Sequence, residues 1–191
     1  MRRFPVVGSI ALATILTLGL PAADGRAEKL PLPSVDYAAD GNIMMHTGNV
    51  ASTMRHAGGK IRIDAAPNGN ATTVYFDLAA PTATIVTERH GQKIAMQVDA
   101  SQVGGAIATA GIDAKRMGED TVLGESCIIY EFEVTPGRPM QACVTQDGIG
   151  LRSYELGRML WQATRVTRAP QDPALFKVPT DAVPLQVPRM R

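Results

Sequence analysis

Aromatic side chains are scarce in this sequence. Phe, Trp and Tyr make up 5% of its 191 residues, with one tryptophan, Trp161. A carbohydrate or single-stranded nucleic-acid site normally needs more stacking surface, so no nucleic-acid partner is expected. A dominant charge is missing too. Lys and Arg number 19 against 18 Asp and Glu, with no run of like sign. No global field therefore draws the chain to nucleic acid or to anionic lipid. Histidine occurs only at His46, His56 and His90, and cysteine only at Cys127 and Cys143. Two cysteines cannot build a four-ligand structural zinc site, and their wide spacing is not the C-x-x-C of a redox pair. No G-x-S-x-G elbow occurs, and turns such as Asn68-Gly69-Asn70 lack the strand–loop–helix setting of a phosphate cradle. No catalytic residue, metal site or cofactor can be named, so an enzyme is not expected.

What the chain does have begins at its N-terminus. Met1-Arg2-Arg3 is followed by an uncharged, mostly apolar run from Phe4 to Leu20, then by Pro21 and small residues up to Ala27. This is the pattern of a secretory signal peptide, residues 1–27, cut after Ala27 with Gly25 and Ala27 at the −3 and −1 places. The run is at the lower limit for a membrane span. Cleavage removes three arginines and one aspartate, so the net charge moves from +1 to about −1. Residues 28–191 suit a single domain. No second apolar stretch could span a bilayer, so the mature form is expected in the periplasm or outside the cell.

The mature sequence is dominated by short alternating segments separated by Gly, Pro and Asn. Lys60–Ala65 sets Ile61 and Ile63 against Lys60, Arg62 and Asp64. Asn42–Thr47, Ala51–His56, Thr72–Leu78, Thr82–Glu88 and Lys93–Asp99 are similar, and strands resume after Lys115. Period-two alternation between turn residues predicts half-buried antiparallel strands, each paired with its sequence neighbour. Ala100–Ile112 is different. Val103, Ile107 and Ala110 fall at helical spacing behind Ser101, which predicts a short helix. The end of the chain holds four prolines between Pro173 and Pro188 and reads as an irregular tail with Phe176 docked. The fold class is mainly β (α+β), an antiparallel sheet covered on one face by one or two short helices.

An even cysteine count in an exported chain predicts a Cys127–Cys143 disulfide. Alternation puts both on the face opposite Tyr130, Phe132, Met140 and Val144, the more polar face of a hairpin. A three-residue loop at Thr135-Pro136-Gly137 would set Cys143 against Ile129, leaving the cysteines diagonal. A wider loop or one bulge near Pro139 would make them direct partners. A third, sparse set, Met44, Met45, His46, Met54 and His56, mixes thioether and imidazole, the ligands copper favours. Methionines filling a strand core explain the same residues. Glu131 and Glu133 read as a wet strand face and His90 as a hairpin turn.

Several stretches carry a family resemblance: "VDYAADGNIMMHTGNVASTMRHAGGKIRIDA", "GEDTVLGESCIIYEFEV", "DGIGLRSYEL" and "DPALFKVP". Over Val35 to Pro179 the chain resembles periplasmic proteins similar to the LolA/LolB-like lipoprotein-carrier superfamily. The resemblance implies a curved antiparallel half-barrel with helical segments lidding an apolar concave face that holds acyl chains. The residues expected to line that face are Ile61, Ile63, Val74, Phe76, Ile85 and Met96, with Ile107 on the lid. They would equally suit a closed core. Arg62 is the nearest match to a lipid-gating arginine, though an exposed strand arginine reads the same way. Two functions follow as expectations: a carrier of a lipid or lipoprotein tail, or an envelope module whose exposed edge strand engages a protein partner.

Overall fold

In a computed structural model, residues 27–100 and 111–185 are described. They form one open, curved sheet of thirteen strands. The strands are β1 (Ala27–Lys29), β2 (Tyr37–Met45), β3 (Gly48–Ala57), β4 (Lys60–Ala65), β5 (Thr72–Asp77), β6 (Thr82–Arg89), β7 (Gln92–Asp99), β8 (Asp113–Val122), β9 (Glu125–Thr135), β10 (Arg138–Val144), β11 (Gly150–Glu155), β12 (Arg158–Arg168) and β13 (Val183–Pro184). Their order across the sheet is β1-β8-β9-β10-β11-β12-β2-β3-β4-β5-β6-β7-β13. All pairings are antiparallel except β13 with β7. Among the described residues there is no α-helix; short 3-10 turns lie at Pro67–Gly69 and Pro173–Phe176. The helix expected over Ala100–Ile112 falls largely outside the described residues, as do Ile107 and all of the leader except Ala27.

The turns explain why neighbours pair. His90-Gly91, Leu123-Gly124 and Leu156-Gly157 each put two successive residues at positive φ. That is the tight hairpin turn whose twist matches the strands it joins. β2 begins five residues before the expected strand and runs through Asp40 and Gly41, residues that normally mark a turn. Both have a reason to be in a strand. Asp40 accepts from Arg165 Nη2 at 2.6 Å and from Thr53 Oγ1 at 2.8 Å. Gly41 lies under Trp161, and a Cβ there would sit 2.5 Å from the Gln162 carbonyl oxygen and 2.8 Å from the indole ring. The indole N–H in turn donates to the buried Ser52 hydroxyl at 3.1 Å.

Two cores result. The larger joins Tyr37, Met54, Ile61, Phe76, Ile149, Leu151 and Trp161 with both cysteines. The smaller joins Leu30, Tyr130, Phe132, Met140 and Val144. Hairpin β9–β10 is therefore covered on both faces, which corrects the expected placement of the cysteines. Cys127 and Cys143 are 3% and 4% exposed and belong to the main core, while the Tyr130–Val144 face is covered by the segment that includes Leu30. The disulfide is formed, with Cα atoms 5.4 Å apart. Cys143 does pair with Ile129. The turn is shorter by one residue than the expected loop, and a bulge at Arg138/Pro139 restores the count. The bridge is thus diagonal; strand twist shortens one diagonal of a hairpin into bridging range. A formed disulfide fits an oxidising compartment.

Residues 30–36 form a strap from β1 to β2. β1 and β2 are six places apart in the sheet, about 29 Å if it were flat. The strap holds two prolines and reaches about 25 Å in their extended conformation, so the sheet must curl. The strap is pinned at both ends: Leu30 N–H donates to the Ile112 carbonyl at 2.9 Å and Ser34 N–H to the Asp147 carbonyl at 3.0 Å. Val35 lends its carbonyl to His56 Nδ1 at 2.8 Å.

Arg168 latches this end. It bonds Asp147 through Nε at 2.6 Å and grips Glu125 with both terminal nitrogens. The Arg168 guanidinium holds the Asp147 carboxyl below the usual carboxylate range. Arg165 does the same for Asp40, and the Thr121 backbone N–H, then Arg152, for Asp120. A carboxyl whose pKa is depressed by folding adds stability above its unfolded value, near 3.8, and loses it as pH falls through the folded value. We expect chemical-denaturation midpoints to be flat above about pH 5 and to fall below about pH 4. Asp147→Asn should flatten that acid limb, and Arg168→Met should cost about 1 kcal/mol at pH 7. An unchanged limb in Asp147→Asn would remove the latch from this account.

Candidate functional site

Cross-strand register builds one continuous apolar row on the core side of the sheet. Ala39 pairs with Met54, Met54 with Ile63, Ile63 with Val74, Val74 with Ile85, and Ile85 with Met96. A parallel row runs Tyr37, His56, Ile61, Phe76, Ala83 and Val98. Partners opposite each other in a ladder share a face, so six of the seven expected lining residues are brought together.

They are not equivalent. Ile61 and Phe76 are 2% and 4% exposed, at the centre of the main core. Ile63 and Val74 are partly buried against that core. Ile85 and Met96, further toward β7, are half-buried and belong to neither core. Along this row Met54 is buried, and Ile63, Val74, Ile85 and Met96 are half-buried, the last two outside both cores. Beside it lie Thr72, Thr87 and Ile94, also half-buried, with the two threonine hydroxyls 3.4 Å apart. The accessible stretch is therefore Val74, Ile85, Met96 and Ile94, a shallow apolar trough on β5–β7. At the strap the same face is shut: the cavity between Leu30, Pro33, Tyr37, Met54 and Ile61 has a volume of about 40 Å³, enough for a water molecule or two but not for an acyl chain.

Arg62 lies on the opposite face. Its guanidinium bonds Asp64 at 2.9 Å and the Leu175 carbonyl at 3.0 Å, and stands 5.7 Å from the Tyr75 ring centre. It fastens the C-terminal 3-10 turn to β4 and does not face the trough. Phe176 in that turn is half-buried, as expected of the docked tail. Asp64 also accepts from Arg55 and Thr73. A shallow cleft of about 440 Å³ runs on this outer side between Asp40, Asn42, Thr53, Asp64 and Thr164. Its two carboxylates are already committed to arginines.

The methionine–histidine set is dispersed. His46 is exposed in the β2–β3 turn, and His56 sits at the other end of the same hairpin, opposite Tyr37, about 26 Å along the strands. His56 is 3% exposed and stacks on Tyr37 with ring centres 5.7 Å apart. Its Nε2 accepts from Gly59 N–H, so Nδ1 carries the proton and donates to Val35. Met54 sulfur accepts from the Tyr37 hydroxyl at 3.3 Å. Burial holds that hydroxyl protonated well above its ordinary range, with the nearby Asp147 charge adding to the effect. Among the described residues no group of three or more His, Cys, Asp or Glu is arranged to hold a metal ion.

No protein-family model matches this sequence, and no curated protein matches it. Solved structures do share the fold. An uncharacterized conserved protein from Thermus thermophilus superposes with a TM-score of 0.54 at 13% identity, over 80% of this chain and 90% of that one. PNGF-II superposes with a TM-score of 0.54 at 10% identity, over 80% of this chain. The chain spans only 31% of the length of PNGF-II. The Pseudomonas aeruginosa MucA/MucB complex gives a TM-score of 0.42 at 14% identity, over 81% of this chain and 59% of that one. At these identities the likeness to the Thermus protein and to PNGF-II is one of fold. The site must be read from its own chemistry.

Signals for two features were absent from the sequence. Nothing local marks His56 as a buried residue, because its partners come from Val35 and Gly59. Nothing marks Arg168 as a latch, because its two acids lie 21 and 43 positions away.

Proposed function

We propose that this chain is an exported, non-catalytic binding protein of the cell envelope. In this reading it takes an acyl chain, of a lipid or a lipoprotein, against the trough formed by Val74, Ile85, Met96 and Ile94. The observation that carries the reading is the single in-register apolar row, buried at Met54 and half-buried from Ile63 to Met96, with Ile85 and Met96 outside both cores. A row that served only as core would be buried along its length. Apolar side chains at the half-buried end gain about 25 cal/mol for each Å² that a ligand removes from water. The two threonine hydroxyls beside it lie 3.4 Å apart and can bond each other, which suits a ligand recognised by its hydrocarbon.

The test is native mass spectrometry of the purified full chain, followed by titration with a fluorescent fatty acid. We expect saturable binding, and Ile85→Glu to weaken it by at least about tenfold, since the carboxylate must be desolvated against the ligand. Ile85 is not in either core, so its melting temperature should change little. Absence of both co-purified lipid and probe binding would count decisively against the reading. A second reading, a protein-interaction module, is supported by a different observation: the sheet is open and ends in two edges.

A further inference from the structure

One of those edges is occupied in an unusual way. After β12 the chain crosses the outer face, docks its 3-10 turn on β4, and reaches the far rim of the sheet, where β13 lies parallel to β7. The contact is slight. Val183 pairs with Ile94 and Pro184 with Ala95. Leu185 N–H donates to the Ala95 carbonyl at 2.7 Å. Asp181 meets Lys93 at 2.8 Å, with both side chains exposed. Val183 and Leu185 remain 52% and 54% exposed, so the side chains gain little from their place.

The edge itself is better made than its occupant. The Ala95 carbonyl faces outward, and by the two-residue period of a strand so do the backbone groups of Lys93 and Gln97. β13 pairs with only Ile94 and Ala95. Leu185 N–H bonds the Ala95 carbonyl, so Pro184 turns its N side away from β7, where an edge strand tolerates proline. Beyond Ala95 the outer side of Met96–Val98 carries no strand among the described residues. A strand laid along this rim would place alternate side chains beside Ile94, Met96 and Val98 and the others beside Lys93 and Gln97. The opposite rim of the sheet is blunted instead. β8 bulges between Arg116 and Gly118, and β1 covers it only at Asp113–Lys115.

We propose that the β7 rim is a strand-addition site for an extended segment of a partner protein, one that alternates apolar residues and carries an acid to meet Lys93. The chain's own Asp181–Leu185 segment is its placeholder. It shows both the charge that fits and the apolar spacing that fits, while a ladder of only two residue pairs keeps it displaceable. This inference differs from acyl-chain binding in resting on the backbone groups of the rim, although an added strand would set side chains beside Ile94 and Met96 of the trough.

The probe is a fluorescein-labelled peptide of residues 178–185 with Pro184→Val, measured by anisotropy against the full chain. A tethered competitor acts at a high effective concentration. Releasing the tail with Asp181→Lys and Leu185→Pro should therefore tighten peptide binding by about tenfold. Adding Gln97→Pro to the released chain removes an outward N–H without touching the β6 ladder and should abolish binding. Adding the surface change Lys93→Glu instead should weaken it, which keeps the test decisive if Gln97→Pro misfolds by circular dichroism. No binding to the released chain overturns the proposal, as does binding indifferent to both rim variants. Self-association of the released chain without peptide binding also overturns it, and makes the tail a guard against pairing between copies.

Discussion

The Cys127→Ala/Cys143→Ala protein should unfold about 4 kcal/mol more easily than the oxidised parent. The bridge closes a loop with a sequence separation of 16, and removing such a constraint on the unfolded chain costs about 3 kcal/mol. The remainder comes from packing. Both cysteines are almost fully buried in the same core as Val122, Ile149 and Leu151. Two missing sulfurs leave a gap that a close-packed sheet fills only partly, at about 1 kcal/mol. A domain of this size should lose about 10 °C in melting temperature. Guanidinium titrations of both proteins, with and without reductant on the parent, test this. Reductant should move the parent toward the double variant. Equal midpoints in all three would mean that the bridge lies outside the cooperative unit. Two free thiols in the denatured, unreduced parent would mean it does not form in solution.

The same hairpin shows how far the sequence could be read. Alternation gave β4 its observed bounds, Lys60–Ala65, and the expected three-residue loop led to the pair Cys143–Ile129 only because a shorter turn and a bulge at Arg138/Pro139 cancel, a bulge that does not make the cysteines direct partners. Both depend on neighbours within a few residues. The cysteine face went wrong because alternation sorts side chains into two sets without saying what covers either one. Leu30 covers one set, and it comes from more than 90 residues upstream of those strands. The lining residues show a related limit. Period two placed Ile61, Ile63, Val74, Phe76, Ile85 and Met96 on one face, and the ladder agrees. It could not rank them by depth, because depth depends on the curl of the sheet and on where the strap crosses. β1 and β13 have three and two residues, too few for any period to show. They exist because an edge was there to receive them.

That dependence on the strap leads to the second large effect, expected from Gly148→Ala. Gly148 has φ +83, a left-handed conformation that costs a non-glycine residue about 1–2 kcal/mol. A Cβ there would also collide with the Leu32 carbonyl and come within 2.6 Å of Pro33 N. These are backbone atoms of the strap and cannot swing aside as a side chain would. Relief requires moving either the β10–β11 turn or the strap, for about 1–3 kcal/mol more. The strap cannot yield locally, because Ser34 is bonded to Asp147 and Val35 to His56. Gly137→Ala is the matched control. Gly137 has φ +76 with nothing within 4 Å of a Cβ, so it should show the conformational cost alone. The difference between the two variants isolates the strap contact, and it should be at least about 1 kcal/mol in urea denaturation. If the two variants are equally destabilised, the strap does not bear on the β10–β11 turn. The closed end of the sheet would then be held by the Ser34 and Val35 hydrogen bonds and by Arg168 with its two acids.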